Sequence, residues 1–230
     1  MNDALLDIDR LRYAWPGEAQ PVLDGLSLRV YQGERVFLAG SSGSGKSTLL
    51  ALIGGLVAPD DGTIHFAGAD LVELGRAARD RFRADHLGVI FQQFNLLPWL
   101  TSIANVRLGC QFSKPRRGRA GDIDAAARRL LTAMDLPENL FERRAGALSV
   151  GQQQRVAAAR ALIGNPDLVL ADEPTSALDA DRRDAFVRLL FEQAEAAGSA
   201  VLFVSHDRDL ARLFDRTLEL EQLHTEGQPA

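Results

Sequence analysis

Residues 40 to 47 read GSSGSGKS, the spacing G-x-x-x-x-G-K-[ST] of a phosphate-binding loop. Small side chains at these positions let main-chain amides approach a triphosphate without Cβ clashes. Lys46 adds a compact positive charge for the β and γ groups, and the Ser47 hydroxyl is placed to meet Mg²⁺. Gly40, Ser41, Ser42, Gly43, Ser44, Gly45, Lys46, Ser47 and Thr48 are therefore the candidate phosphate-binding set. A second piece is LVLADE (168 to 173), an apolar run ending in two carboxylates. Neighbouring side chains on a strand point to opposite faces, so the two acids divide the work. Asp172 is the natural partner of Mg²⁺, and Glu173 would orient and polarise an attacking water. Read singly, these are a Gly/Ser turn before a helix and two solvated acids at a strand end. Read together, they point to hydrolysis of a nucleoside triphosphate.

Such groups need rigid elements behind them. RVFLA (35 to 39), LGVIF (87 to 91), LVLAD (168 to 172) and AVLFVS (200 to 205) are nearly continuous apolar runs, as strands buried on both faces of a parallel sheet would be. TLLALIGGL continues the phosphate loop as a helix, and helical stretches separate the other runs, so the class is α/β. LLDIDRLRY (5 to 13), LSLRVY (26 to 31) and GTIHFAG (62 to 68) alternate apolar and polar residues and predict an antiparallel sheet. DIDAAARRLLTAM (122 to 134) is helix-like, with acids in its first turn. SKPRRGRAG (113 to 121) predicts an exposed loop. Ser149 and Gln152 form a capping box, so a helix should begin there and run through QQQRVAAARALI until Gly164, Asn165 and Pro166 stop it. That helix offers a second N-terminus suited to an anion.

The chain has 230 residues, 46 % hydrophobic and 25 % charged, which fits an ordinary globular domain and not a disordered or collagen-like chain. No apolar run reaches the roughly 18 residues that span a bilayer, and the acidic start MNDALLDID lacks the features of a signal peptide, so a cytoplasmic location is expected. A lone Cys110 allows no internal disulfide and is expected to be a small buried hydrophobe. The formal charge of −5 is unevenly spread: Arg76 to Arg144 carries +6 and the rest −11. The negative total argues against a general nucleic-acid footprint. Only two of the 26 basic residues are lysines, Lys46 and Lys114.

LSVGQ (148 to 152), following a phosphate loop and preceding LVLADE, resembles the signature L-S-G-G-Q of the ATP-binding subunits of ABC transporters, with Val150 in place of a glycine. The resemblance covers nearly the whole chain. It implies an α/β P-loop ABC ATPase core with a parallel sheet, an N-terminal antiparallel β subdomain and an inserted helical subdomain. Residues 1–91 and 166–230 would form the core and about 92–165 the helical subdomain. The family pattern further implies ATP and Mg²⁺, and a head-to-tail dimer, expected to be a homodimer, in which Ser149, Gly151 and Gln152 reach the nucleotide of a second ATP-binding subunit. Gln92 resembles the Q-loop glutamine that links Mg²⁺ and water to the membrane partner, with Gln93 as the other register. Asp179 in SALD (176 to 179) resembles the residue that crosses the dimer interface, and His206 in VSHD the histidine that touches the γ-phosphate. Tyr13 resembles the adenine-stacking aromatic, with Trp15 as its rival. The loss of a glycine at Val150 raises a question of local geometry.

FQQFNLLPWLTSIANV (91 to 106) is most similar to the LolD, MacB and FtsE group, which works with permeases that transmit motion to a periplasmic domain, as in lipoprotein release or efflux. SALD departs from the G-N-L-D usual there and also occurs in importer ATPases, while an FtsE-like regulator of a cell-wall complex is a further alternative. The implied partners are integral membrane permease subunits, which would hold the protein at the inner face of the membrane. Phe91, Phe94, Leu96, Leu97, Trp99 and Leu100 would then be either the groove for a permease helix or subdomain core. The arginines of the positive middle region would face lipid headgroups or simply water.

Overall fold

The computed structural model describes residues 4–41, 43–176 and 178–223. In chain order the strands are β1 (Leu6–Tyr13), β2 (Leu23–Val30), β3 (Arg35–Ala39), β4 (Asp61–Phe66), β5 (Ala69–Asp70), β6 (Leu87–Ile90), β7 (Leu168–Asp172), β8 (Ala200–Val204) and β9 (Arg216–Glu219). The α-helices are α1 (Lys46–Ile53), α2 (Arg76–His86), α3 (Ser102–Gln111), α4 (Lys114–Ala120), α5 (Ile123–Ala133), α6 (Val150–Leu162) and α7 (Ala180–Ala197). The strands form two sheets, an antiparallel one in the order β2-β1-β4-β5 and one in the order β6-β7-β8-β3-β9. Every pairing within the second sheet is parallel.

The continuous apolar runs of the parallel sheet serve two cores at once. Phe37 and Ala39 of β3, Val169 and Ala171 of β7, and Val201 and Phe203 of β8 pack with helices α3, α5, α6 and α7. Their alternates Val36, Leu38, Leu168, Leu170, Leu202 and Val204 pack with α1 and with β1, β2 and β4. A period of two along each strand thus divides the side chains between two layers, and both layers are apolar because neither face meets water. The antiparallel sheet instead buries one face. In β1, Leu6, Ile8, Leu11 and Tyr13 are buried while Asp9, Arg10 and Arg12 are exposed.

The stretch 113 to 121 corrects the expected loop. Ser113 caps the seven-residue helix α4 by accepting from the Arg116 amide, and Pro115 sits in its first turn, where a missing N–H costs nothing. Arg116 points inward and is 3 % exposed. Its guanidinium donates to the carbonyls of Leu87, Ala161 and Ile163, so α4 ties the end of α6 to the start of β6. Cys110 is buried, as expected of a small hydrophobe, and burial pushes its thiol up from the ordinary value. The apolar cluster divides: Phe94 is buried, Leu96 packs against the core, and Trp99 and Phe91 are exposed.

In a parallel α/β sheet, ligands bind beyond the carboxyl ends of the strands. Here β3 delivers Gly40, β6 delivers Gln92, β7 delivers Glu173 and β8 delivers His206 to that same edge. The fold therefore gathers at one rim residues that lie as much as 166 positions apart in the chain.

Candidate nucleotide site

A cavity of about 520 Å³ opens at this rim, lined by Trp15, Val22, Gly43, Gly45, Lys46, Ser47, Thr48, Gln92, Asp172, Glu173 and His206. Lys46 is the first residue of α1 and is 8 % exposed. Its Nζ donates to the carbonyls of Gly40 at 2.8 Å and Ser41 at 2.7 Å, which holds the ammonium over the loop. Gly45 precedes the helix with φ +101°, a left-handed conformation open to glycine. A Cβ there would also strike Val22 Cγ1 at 2.8 Å and Leu23 Cδ2 at 2.9 Å. Ser44 Oγ is buried with no hydrogen-bond partner among the described residues, an orphaned donor inside a loop of amides. A cradle of glycines, a buried ammonium and an unpaired hydroxyl fit a polyphosphate chain. Ser42 lies outside the described residues, as does Ala177 of SALD.

Ser47 Oγ donates to Asp172 Oδ2 at 3.0 Å, so the hydroxyl and the carboxylate expected to meet Mg²⁺ converge on one point. Burial raises the Asp172 pKa above the ordinary carboxylate value; the Ser47 bond opposes this and the nearby Glu173 charge adds to it. A desolvated carboxylate beside a hydroxyl is a donor set that fits a hard divalent cation.

Glu173 leaves β7 with φ +46°, the left-handed region that a residue with a Cβ rarely adopts. Its own amide donates to the Val204 carbonyl at 2.9 Å, fixing the turn onto β8. The carboxylate turns toward the next loop, where Oε1 accepts from the His206 amide at 3.0 Å and lies 2.8 Å from His206 Nδ1. Ser205 Oγ, at 3.3 Å, donates to Oε2. The strained backbone is held by these tertiary bonds and points the acid into the cavity. Asp207 anchors the same loop from behind: it caps the turn Arg208–Leu213 and pairs with Arg183 of α7.

Of the two glutamine registers, Gln92 lines the cavity. Tyr13, the first candidate for the adenine platform, is 6 % exposed, packs in the antiparallel core and is not among the residues that line this cavity. Trp15, two residues on and 41 % exposed, packs edge-on against it with ring centroids 5.2 Å apart. Trp15 lines the cavity, and its Nε1 donates to Thr48 Oγ1 at 3.3 Å.

The signature residues lie elsewhere. The capping box is present, with Gln152 N donating to Ser149 Oγ and Ser149 N to Gln152 Oε1. Val150 is the first residue of α6 and is not among the residues with positive φ, so the lost glycine imposes no backbone strain. Ser149, Val150 and Gly151 line a second cavity with Gln154, whose buried Nε2 has no hydrogen-bond partner among the described residues. That cavity shares no lining residue with the first. Asp179 caps α7 through the Arg182 amide, and its neighbour Leu178 borders the signature cavity. Val22 and Arg183 carry no local sequence signal of their place at the site, whereas Ser205 is adjacent to His206.

A phosphate loop on a parallel strand, with an Asp-Glu pair and a histidine on neighbouring strands, defines a P-loop ATPase of the ABC type. The sequence model of the ABC transporter family matches residues 23–176, and the chain belongs to that family. Among solved structures, it resembles a dimeric post-hydrolysis state of the ATP-binding cassette MJ0796 bound to ADP and Pi. The TM-score is 0.85 at 35 % identity, over 96 % of each chain. A dimeric structure of MJ0796, described as a bacterial ABC transporter cassette, matches with TM-score 0.84 at 36 % identity over 94 % of each chain. CbiO1 from Clostridium perfringens, part of the ABC transporter complex CbiONQ, matches with TM-score 0.82 at 26 % identity over 95 % of this chain and 85 % of that one. The protein is an ABC ATP-binding cassette and an ATP hydrolase.

Proposed function

We propose that the protein powers an integral membrane permease by closing as a homodimer on two ATP molecules and reopening after hydrolysis. The observation that carries this reading is the convergence of Lys46, Ser47, Asp172, Glu173 and His206 on one cavity while the signature helix faces another. A single chain therefore has both halves of a composite site but does not join them. Gly40 to Thr48 cradle the phosphates through amides and the Lys46 ammonium. Trp15 replaces Tyr13 as the platform for adenine. Ser47, Asp172 and Gln92 would hold Mg²⁺, which supplies charge neutralisation to the β and γ groups. Glu173 positions and polarises the attacking water, and His206, tethered to Glu173, reads the γ-phosphate. Ser149, Gly151 and Gln152 complete the site from the second subunit, with Asp179 at the junction.

The permease reading is supported by a groove of about 690 Å³ between the core and the helical layer, lined by Phe91, Leu97 and Phe112 together with Arg81 and Arg160. Among the described residues no helix is long and apolar enough to cross a membrane, so a membrane role passes through such a partner. The resemblance of residues 91–106 favours a permease that transmits motion to a periplasmic domain, in lipoprotein release or efflux, at the inner face of the membrane.

The Glu173→Gln variant tests both parts. Its amide oxygen still accepts from the His206 N–H, so the loop is kept while the carboxylate is lost. With ATP it should persist as a dimer on size exclusion, with hydrolysis reduced by about a hundredfold or more. Purified by tag from solubilised membranes, it should bring down a permease with four transmembrane helices and a large periplasmic domain. Wild-type turnover would overturn the role of Glu173. Recovery without any permease would overturn the transport reading.

A further inference from the structure

The carboxyl end of the fifth parallel strand, β9, also reaches the rim. Its register sets Glu219 beside Ala39, so the turn Leu220–Gln222 that follows lies against the loop that follows β3. Leu220 is fully buried, and a Cβ on Gly40 would meet Leu220 Cβ at 3.3 Å, so this turn is packed onto the entrance of the phosphate loop. On its far side the Leu223 carbonyl accepts from the Ser27 amide at 3.1 Å, which fastens the turn to β2. Between these anchors the Glu221 carboxylate accepts from Ser41 N at 2.9 Å and from Ser41 Oγ at 3.0 Å. The Ser41 carbonyl in turn accepts from Lys46 Nζ. The Ser41 amide holds Glu221 below the ordinary carboxylate value, so the acid is ionised at neutral pH.

We infer that Glu221 is a positioning residue for nucleotide binding, a buckle from the C-terminal turn that sets Ser41 and, through its carbonyl, Lys46. The inference rests on the reading that residues 40 to 48 hold the phosphates. Two effects of opposite sign compete. A carboxylate at the mouth of a phosphate site repels an anionic ligand. Preorganising the loop removes an ordering cost that the ligand would otherwise meet. The geometry decides for the second, because the carboxylate is satisfied by two Ser41 donors and Glu221 is not among the residues that line the nucleotide cavity. A charge-assisted pair of this kind is among the stronger hydrogen bonds.

The experiment measures ATP affinity of the full chain by equilibrium dialysis in the Glu173→Gln background. Glu221→Ala should weaken ATP binding about tenfold, the size of one lost charge-assisted hydrogen bond. Glu221→Gln, which keeps an acceptor for the Ser41 amide, should recover most of that loss. Adding Ser41→Ala to Glu221→Ala should cost nothing more, since the hydroxyl has already lost its partner. In the otherwise wild-type enzyme, the same substitution should raise KM for ATP with kcat little changed, and thermal unfolding of the nucleotide-free protein should confirm that the fold is kept. Unchanged or tighter ATP binding in a folded Glu221→Ala protein would overturn the inference, tighter binding meaning that repulsion wins. Lys46→Ala, measured alongside, separates the two levels. If it abolishes binding while Glu221→Ala does nothing, the buckle alone is wrong. If Lys46→Ala binds ATP normally, the phosphate-loop reading falls with it.

Discussion

At the scale of single residues, the site holds groups in states the fold alone would not favour. Glu173 carries a left-handed backbone, and Asp172 sits where burial raises its pKa. The sign of the second effect fixes a stability prediction. A carboxyl whose folded pKa lies above its unfolded one favours folding in its protonated form, so that contribution is present at low pH and is lost as pH rises through the folded pKa. At pH 7 ionised Asp172 is therefore a liability in the nucleotide-free protein. Asp172→Asn keeps an acceptor for the Ser47 hydroxyl and removes the buried charge. Its melting temperature should exceed that of wild type at pH 7, and the gap should close as pH falls below the carboxylate range, while ATP hydrolysis is lost at every pH. Thermal scans of both proteins from pH 7 to about pH 3 test this, and a melting temperature lower than wild type at pH 7 would refute it. Stability surrendered at a residue proposed to hold Mg²⁺ is the expected trade at an active site.

At the scale of elements, legibility in the sequence follows how local the determining interactions are. The phosphate loop, the Ser149–Gln152 capping box and four of the five parallel strands could be read because their signals lie within a few residues, while β9, short and only partly buried, carries no such apolar run. Helix α4 could not. Pro115 and Gly118 look like loop residues, and Gly118 does weaken a helix, yet Pro115 falls in the first turn and Arg116 is held by carbonyls some 29 to 47 positions away. Tyr13 and Trp15 are alike as sequence and differ in that Tyr13 is the last residue of β1, buried with the antiparallel sheet, whereas Trp15 follows the strand's end. Glu221 is opposite Ser41 solely through the pairing of β9 with β3. Arg116 turns the point into a prediction. Burial lowers its pKa to about 10, which leaves it charged at neutral pH, and its donors go to the main-chain carbonyls of Leu87, Ala161 and Ile163. Arg116→Leu should destabilise the protein by about 3 kcal/mol or more, since buried carbonyls are left unpaired. Arg116→Lys should lose less, because an ammonium can satisfy some of the three. Urea unfolding midpoints give the comparison, and a neutral Arg116→Leu would mean that α4 is not held by this residue.

At the scale of the whole molecule, the parallel sheet sends its carboxyl ends to one rim, and the signature helix starts on a different surface. Charge divides the chain differently: the excess of arginine lies in the segment from Arg76 to Arg144, while the phosphate loop and the signature both fall in the acidic remainder. The composite site proposed above would require two chains, and the arrangement can be tested by where two defects are placed. In a dimer of two distinguishable copies, Lys46→Ala disables the phosphate loop of its own chain, and Ser149→Arg disables the signature it presents. If each site joins the loop of one chain to the signature of the other, both substitutions in one chain spoil both sites. Divided between the chains, they fall in a single site and leave the second intact. If each site were built within one chain, the pattern would reverse, and the doubly substituted chain would spare its partner. ATP binding to the two mixed dimers should therefore differ in a fixed sense: one nucleotide retained when the substitutions are on separate chains, and none when they share a chain. Retention in the shared arrangement would show that the two cavities are served by the same copy, and the closure of two protomers on shared nucleotides would have to be abandoned.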